Sequence, residues 1–232
     1  MEATKNTKKE NPFTNLLMNV IVPSFVLIKL SEPDKLGAVY GLLVALAFPL
    51  AYGLKKLWTT KKVNFLSVLG LVSILLTGTL GLLNLDAQWI AIKEASVPLL
   101  IGTAVLISLK TKYPLVEKLL LNDQVFNIPL INEALERNQA QSAFKETLKK
   151  ASYMVAVSFL VSALLNYGLA KYLLVSPPGT PAFNEELGRM TALSFPVIAV
   201  PSTLIMFVAL WYLVRKLSKL TQLTFEQMFE KK

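Results

Sequence analysis

The chain has no cysteine and no histidine, and both absences exclude chemistry. Without cysteine there is no disulfide, no thiol nucleophile and no thiolate ligand for zinc. Without histidine a Ser-His-Asp triad cannot be built. A metal site would need carboxylates and carbonyls alone, and the sequence contains no Walker loop, dinucleotide-binding fingerprint or EF-hand loop. We therefore expect no catalytic residue, no cofactor and no metal, and we predict that the protein is not an enzyme.

Charged residues are scarce as well. They make up 17% of the 232 residues, against 53% hydrophobic residues, and the mean hydropathy is +0.51. Most hydrophobic residues fall in six runs of about 20, the length at which a helix crosses a ~30 Å hydrocarbon core. Because helices satisfy their own backbone groups in lipid, the sequence predicts an all-α, polytopic membrane protein, a six-transmembrane-helix bundle. The predicted spans are residues 13–30, 36–54, 63–85, 89–109, 151–175 and 190–214.

The net charge of +9 is distributed unevenly along the chain. Of the 24 basic residues, 19 lie in the tail 1–12, the loop after the second span, the segment after the fourth span and the tail 215–232. Cytoplasmic segments are enriched in Lys and Arg, so both termini are expected to be cytoplasmic. Attraction to anionic lipids of that leaflet explains the basic excess, and nucleic acid is not an expected partner.

Several segments outside the spans have patterns of their own. Short amphipathic stretches with basic flanks in the insert 110–150 predict interfacial helices on the cytoplasmic leaflet, and a docking surface for a soluble partner is the alternative. The tail 215–232 is also amphipathic and is expected to rest on the membrane. The Pro- and Gly-rich segment 176–188 predicts an ordered loop on the outer side. Pro196 and Pro201 predict a kinked or locally unwound sixth helix.

One charged pair, Lys93 and Glu94, intrudes into a predicted span, about 6–8 Å from its start. Lys93 either snorkels to the interface or pairs in a shallow cleft with a carboxylate, for example Asp86. Asn84 and Asn166 belong to stripes of small or weakly polar residues, which are either packing seams or polar paths, and we expect Asn166 to bond to a neighbouring helix. These five residues form the candidate polar site. The stripes are Gly70, Ser73, Thr77, Gly81 and Asn84 on the third span, and Ser158, Ser162, Asn166 and Ala170 on the fifth.

The stretch from Gly78 to Leu121 also carries a family-like pattern. It has an outer turn, an aromatic residue, a lysine and then a basic-Pro-Leu sequence. Its residues are Asp86, Trp89, Ile90, Lys93, Leu100, Lys112, Pro114, Leu115 and Leu119, and the fifth span adds Asn166 and Ala170. In these features the chain resembles the bacterial intracellular septation protein A family. The resemblance implies a multi-pass protein of the bacterial inner membrane, with a role in septation and envelope maintenance and no catalytic signature.

Two classes of function are therefore carried forward. The leading hypothesis is a non-enzymatic bundle that supports cell-envelope organisation or cell division. Its partners would be membrane lipids, other envelope or division membrane proteins, or copies of itself. The alternative is a small transporter or lipid-handling protein with an outer-leaflet site at Lys93 and Glu94. A bundle filled with side chains would favour the first, and a continuous cavity from Lys93 toward Asn84 and Asn166 would favour the second.

Overall fold

The computed structural model describes residues 12–60, 65–111, 114–121 and 125–229. Within these ranges every regular element is a helix and no strand occurs, which confirms the predicted all-α class. We number nine helices in this part of the chain and count the two that contain a π-helical turn as continuous. They are α1 (residues 12–30), α2 (Gly37–Thr60), α3 (Phe65–Leu82), α4 (Ala87–Ser108), α5 (Leu115–Leu120), α6 (Ile128–Arg137), α7 (Gln141–Leu173), α8 (Pro181–Thr221) and α9 (Phe225–Phe229).

Five of these helices are long and apolar enough to cross a membrane: α1, α2, α4, α7 and α8. This confirms the predicted membrane class. The third predicted span corresponds to α3, whose described apolar part, Gly70–Leu82, is shorter than the about 20 residues that a straight crossing requires. The count of six spans therefore stays a prediction.

Prolines accompany both π-helical turns. The turn Leu17–Ile21 precedes Pro23, and the turn Phe195–Ala199 precedes Pro201. A proline lacks the N–H donor and its ring clashes with the carbonyl four residues earlier, whereas a π turn shifts bonding to the i→i+5 pattern. In α1 the N–H of Val22 donates to the carbonyl of Leu17 in this way. The irregularity predicted for the last span is therefore a π turn inside a continuous helix.

The insert differs from its prediction at its C-terminal end. Residues 141–150 do not form a separate interfacial helix, because α7 runs without interruption from Gln141 to Leu173, over 33 residues. The physical reason is that the change from a polar to an apolar pattern near Ala151 contains no glycine or proline to stop the helix. A helix of this length spans about 50 Å, more than a bilayer core needs.

The segment 176–188 also differs from its prediction as a loop. Helix α8 already begins at Pro181, and Thr180 caps it by accepting a hydrogen bond from the Phe183 N–H at 3.2 Å. A threonine followed by proline is a common start of a helix, because the hydroxyl satisfies an unpaired N–H and proline needs none. The connection between α7 and α8 is therefore only residues 174–180.

The first of two compact units contains residues up to Lys93 together with Tyr167–Phe195. Here α8 lies close against α1, since a Cβ on Gly188 would lie 2.8 Å from Ile28 Cγ1 and 3.0 Å from the Ser24 carbonyl oxygen. Glycine permits this approach because it has no side chain. The buried apolar core of the unit consists of Val26, Leu27, Leu42, Ala45, Ile90, Ala91, Ala170, Leu174, Phe183, Leu187 and Met190.

The second unit contains Glu94–Asn166 and the residues from Pro196 onward. Its C-terminal segment is bonded to the insert: the Asn127 N–H donates to the Met228 carbonyl at 2.8 Å, and Asn138 Nδ2 donates to the Leu220 carbonyl at 2.9 Å. The described part of the tail, through residue 229, thus packs on the insert, and its contact with the membrane stays a prediction. Its apolar side chains meet those of the insert in one core. That core includes Val116, Leu121, Phe126, Ile131, Leu135, Leu148, Leu213, Leu217, Leu223 and Met228.

Candidate functional site

Lys93 is held by the neighbouring helix α3. Its Nζ donates to Thr77 Oγ1 at 2.6 Å, to Ser73 Oγ at 3.1 Å and, more weakly, to the Ser73 carbonyl oxygen at 3.4 Å. The Thr77 hydroxyl donates in turn to the same Ser73 carbonyl at 3.1 Å. One ammonium group and two hydroxyls thus form a half-buried network. Asp86, the carboxylate suggested as a partner for Lys93, is not part of it.

The small-residue stripe on α3 contacts two neighbouring helices, α2 and α4. Ser73 and Thr77 face Lys93, whereas Gly81 and the nearby Gly78 lie against α2. A Cβ on Gly70, the first residue of the stripe, would meet no atom of the described residues within 4 Å. A Cβ on Gly78 would lie 2.8 Å from Leu46 Cδ1, and one on Gly81 would lie 2.8 Å from Leu42 Cδ2. Small residues allow helices to approach closely in lipid. In this unit the arrangement is therefore that of a packing seam, with Lys93 bonded along one side.

Asp86 and Asn84 have local roles in the turn between α3 and α4. Asp86 Oδ1 accepts a hydrogen bond from the Gln88 N–H at 2.7 Å, which caps the start of α4. Asn84 adopts a positive φ of 52° after the end of α3, a conformation that asparagine tolerates well. Its side-chain oxygen lies where a Cβ on Gly179 would be. Both side chains are exposed.

Glu94 and Asn166 belong to the second unit. Both are half-buried. Asn166 does not bond to a neighbouring helix as expected: its Nδ2 donates to the Ser162 carbonyl at 2.8 Å and to Ser162 Oγ at 3.4 Å, one turn earlier in α7. A short polar side chain in a helix often finds a partner on its own preceding turn. The expected link across helices is made instead by Ser158, whose hydroxyl donates to the Ser202 carbonyl of α8 at 2.7 Å.

Asn184 is the buried polar residue that the sequence analysis missed. It is 1% exposed, and its Nδ2 donates to the Ala38 carbonyl at 2.7 Å and to Ser31 Oγ at 3.1 Å. It thereby connects α8 to the end of α1 and the start of α2. The available signal was the capping pattern at Thr180, which would have placed Asn184 on a helix rather than in a loop.

Glu186 closes the connection between α7 and α8. Its Oε2 accepts from the N–H groups of Val175 and Ser176 at 3.0 and 2.9 Å, and its Oε1 accepts from the Ser176 hydroxyl at 2.6 Å. Hydrogen bonds to an ionised carboxylate are among the stronger ones in proteins. The carboxylate therefore holds the connection after α7 against the first turns of α8.

Across the described ranges, no three carboxylates lie together as a possible metal site. Lys93, Ser158 and Asn184 bond instead to neighbouring helices, whereas the buried hydroxyls of Ser24 and Ser202 have no hydrogen-bond partner within those ranges. Comparison of the chain with protein-family models, with curated proteins and with solved structures gave no match.

Proposed function

We propose that this chain is a non-enzymatic protein of the bacterial inner membrane that supports cell-envelope organisation or cell division. In this proposal it has six spans with both termini in the cytoplasm, and it acts through contacts with lipids, with other membrane proteins of the envelope or with copies of itself. The septation role is an inference from the resemblance to the septation protein A family, and the hydrogen bonding of the helices supports the scaffold class.

The observation that carries the proposal is where the polar groups of the helices are used. Lys93 bonds to Thr77 on α3, and the buried Asn184 joins α8 to α1 and α2. Ser158 likewise joins α7 to α8 in the second unit. Polar side chains that bond to neighbouring helices fix the shape of a bundle, as a scaffold requires. In a substrate path, polar side chains would instead face the path and bind the substrate.

The test is complementation in a bacterium whose own copy of this gene has been deleted. We expect the deletion to change cell length or septum position, measured by fluorescence microscopy. Wild-type protein and Lys93→Met should both restore normal cell morphology when present in the membrane at equal amounts. Methionine keeps most of the length of the lysine side chain, and the interhelical bonds of Asn184 and Ser158 remain. Normal morphology after the deletion, or failure of Lys93→Met alone, would contradict the proposal.

One observation favours a second candidate, a small transporter or lipid-handling protein. Lys93 lies within the sequence of a helix that is long and apolar enough to span the membrane. Charged side chains at such positions often line substrate pathways. Under this alternative, Lys93→Ala would abolish flux of a solute, or transfer of a fluorescent lipid, in proteoliposomes. Thr79→Val is the matched control, since Thr79 is exposed on α3.

A further inference from the structure

A large cavity lies in the second unit, where the insert meets the ends of two long helices. Its volume is about 1140 Å³, slightly above the usual range of about 300–1,000 Å³ for ligand pockets. Lys110, Lys145 and Lys149 contribute its basic lining. Among the described residues, none of these three ammonium groups donates a hydrogen bond or joins an ion pair, so all three can bind a ligand. The cavity is therefore a basic chamber whose lysines are not paired directly with a carboxylate of the described residues.

An apolar groove of about 200 Å³ adjoins this chamber, between α4 and α7. Leu106 and Tyr153 line both, so the two spaces share a wall. The floor of the groove is made by small residues: a Cβ on Gly102 would lie 3.0 Å from Phe159 Cβ and 3.5 Å from the Ala156 carbonyl oxygen. The two helices thus lie close together there and leave a shallow channel along their junction.

Along both helices the lining changes from apolar to basic at the same end. On α4 and the turn after it, Leu99, Thr103, Leu106 and Lys110 follow at helical spacing, and Lys110 lies just beyond the span Ala87–Ser108. On α7 the order runs the other way along the chain, because the helices are antiparallel neighbours at this groove. One row of its lining residues is Gln141, Lys145, Lys149, Tyr153, Val157 and Leu160, each three or four positions after the last, and Phe144, Leu148 and Ala156 also line the two spaces.

We propose that this chamber and groove bind one anionic glycerophospholipid. Its phosphodiester would lie in the chamber near Lys110 and Lys149, and one acyl chain would follow the groove past Tyr153. Lipids have the same order of chemistry: a charged phosphate, a polar boundary where tyrosine is favoured, and hydrocarbon. The site does not depend on the proposed scaffold role, since a protein of any function can carry a lipid site.

The charges of the chamber favour an anionic lipid over a zwitterionic one. Glu117 and Glu136 also line it, and Glu136 Oε1 accepts a hydrogen bond from Gln141 Nε2 at 3.4 Å. Among the lining residues that the structure describes, three lysines against two glutamates leave one positive charge, which one phosphodiester neutralises. The carboxylates and Asn132 can accept hydrogen bonds from headgroup hydroxyls. Phosphatidylglycerol has both features and is the probe that we choose.

The test uses the full chain in detergent and native mass spectrometry of bound lipid. Phosphatidylglycerol should bind more tightly than phosphatidylcholine of the same acyl composition. The variant Lys110→Gln/Lys149→Gln should lower the affinity for phosphatidylglycerol about 25-fold, at about five-fold for each lysine near an anionic headgroup. The control Lys150→Gln/Lys216→Gln removes the same charge from exposed positions outside the cavity and should change the affinity less than two-fold.

Two further measurements separate a lipid from a soluble phosphate ligand. Thr103 is exposed and lines the groove, so Thr103→Phe places a ring there. The variant should lower the affinity for phosphatidylglycerol and leave the affinity for glycerol 3-phosphate unchanged. The inference is overturned if glycerol 3-phosphate binds as tightly as phosphatidylglycerol, which would make the chamber a solute site. It is also overturned if the two lipids bind equally, or if the two double variants lose affinity to the same extent.

Discussion

At the residue scale, the network around Lys93 is asymmetric. The ammonium group depends on oxygens of α3, whereas Thr77 keeps a hydrogen bond to the Ser73 carbonyl whether or not the lysine is present. Removing a partner is most costly when a charged group is left behind in a poorly solvated place. The threonine and the lysine should therefore respond differently to substitution, although they are bonded to each other.

We predict that Thr77→Val lowers the free energy of unfolding by about 2 kcal/mol, because it removes the shortest bond to the charged Lys93. Lys93→Met should cost less than about 1 kcal/mol, and the double variant should match Lys93→Met. Thermal unfolding in detergent, monitored by tryptophan fluorescence, ranks the stabilities of these variants. Thr79→Val, on the exposed face of α3, should be neutral. A larger loss for Lys93→Met than for Thr77→Val would contradict this account.

Two asparagines provide a second comparison at this scale. Asn184 joins three helices, whereas Asn166 bonds only to Ser162 in its own helix. Asn184→Ala should lower the free energy of unfolding by about 3 kcal/mol, since it removes the donor to the Ala38 carbonyl and to the buried Ser31 hydroxyl and leaves a cavity. Asn166→Ala should cost below about 1 kcal/mol. Equal melting temperatures for the two variants would show that the interhelical bonds of Asn184 contribute nothing.

At the element scale, the position of α8 against α1 depends on Gly188. Gly188→Val should separate the helices, because the new side chain would overlap Ile28 and the Ser24 carbonyl, and overpacking of this kind costs about 1–3 kcal/mol. Gly168→Ala is the control, since a Cβ there meets nothing within 4 Å and alanine is the better helix former by up to about 1 kcal/mol. The first variant should melt at a lower temperature than wild type and the second should not. An unchanged melting temperature for Gly188→Val would exclude close packing at this position.

Helix boundaries at this scale show what local patterns can predict. The starts of α2 and α4 and the end of α1 lie within two residues of their predictions, because charge, proline or a turn residue interrupts the apolar run there. The start of α7 lies ten residues before the predicted span, since hydrophobicity marks the bilayer part of a helix and not the helix itself. The start of α8 could have been predicted from Thr180 and Pro181, because this pair is typical of a helix N-terminus. The hydrophobicity of the span does not mark that start.

At the scale of the whole molecule, the number of spans decides on which side each loop lies. The chain has no cysteine, so a single introduced cysteine reports its own side of the membrane. With six spans, Asp34→Cys and Pro177→Cys should react with an impermeant thiol reagent in intact cells, and Glu133→Cys and Glu226→Cys should react only after lysis. All four positions are exposed.

The same four variants test whether α3 crosses the membrane. If α3 stays on one side, every later segment changes sides, so Glu133→Cys and Glu226→Cys would label together with Asp34→Cys, and Pro177→Cys would be protected. That pattern would replace six spans with five. The six-span pattern would in addition support the interpretation that the 19 basic residues mark the cytoplasmic side.

The sequence by itself determined that the protein is helical and membrane-embedded, because the length and apolarity of a run decide whether a helix is stable in lipid. It also placed the polar residues of the candidate site on particular helices. Only the tertiary structure decided the partners: Lys93 with Ser73 and Thr77, Asn184 with Ser31, and the tail with the insert. Hydrophobic periodicity tells which face is buried but not against what, since every apolar face fits lipid and protein alike. The choice between them depends on which side chains meet at the junctions of the helices.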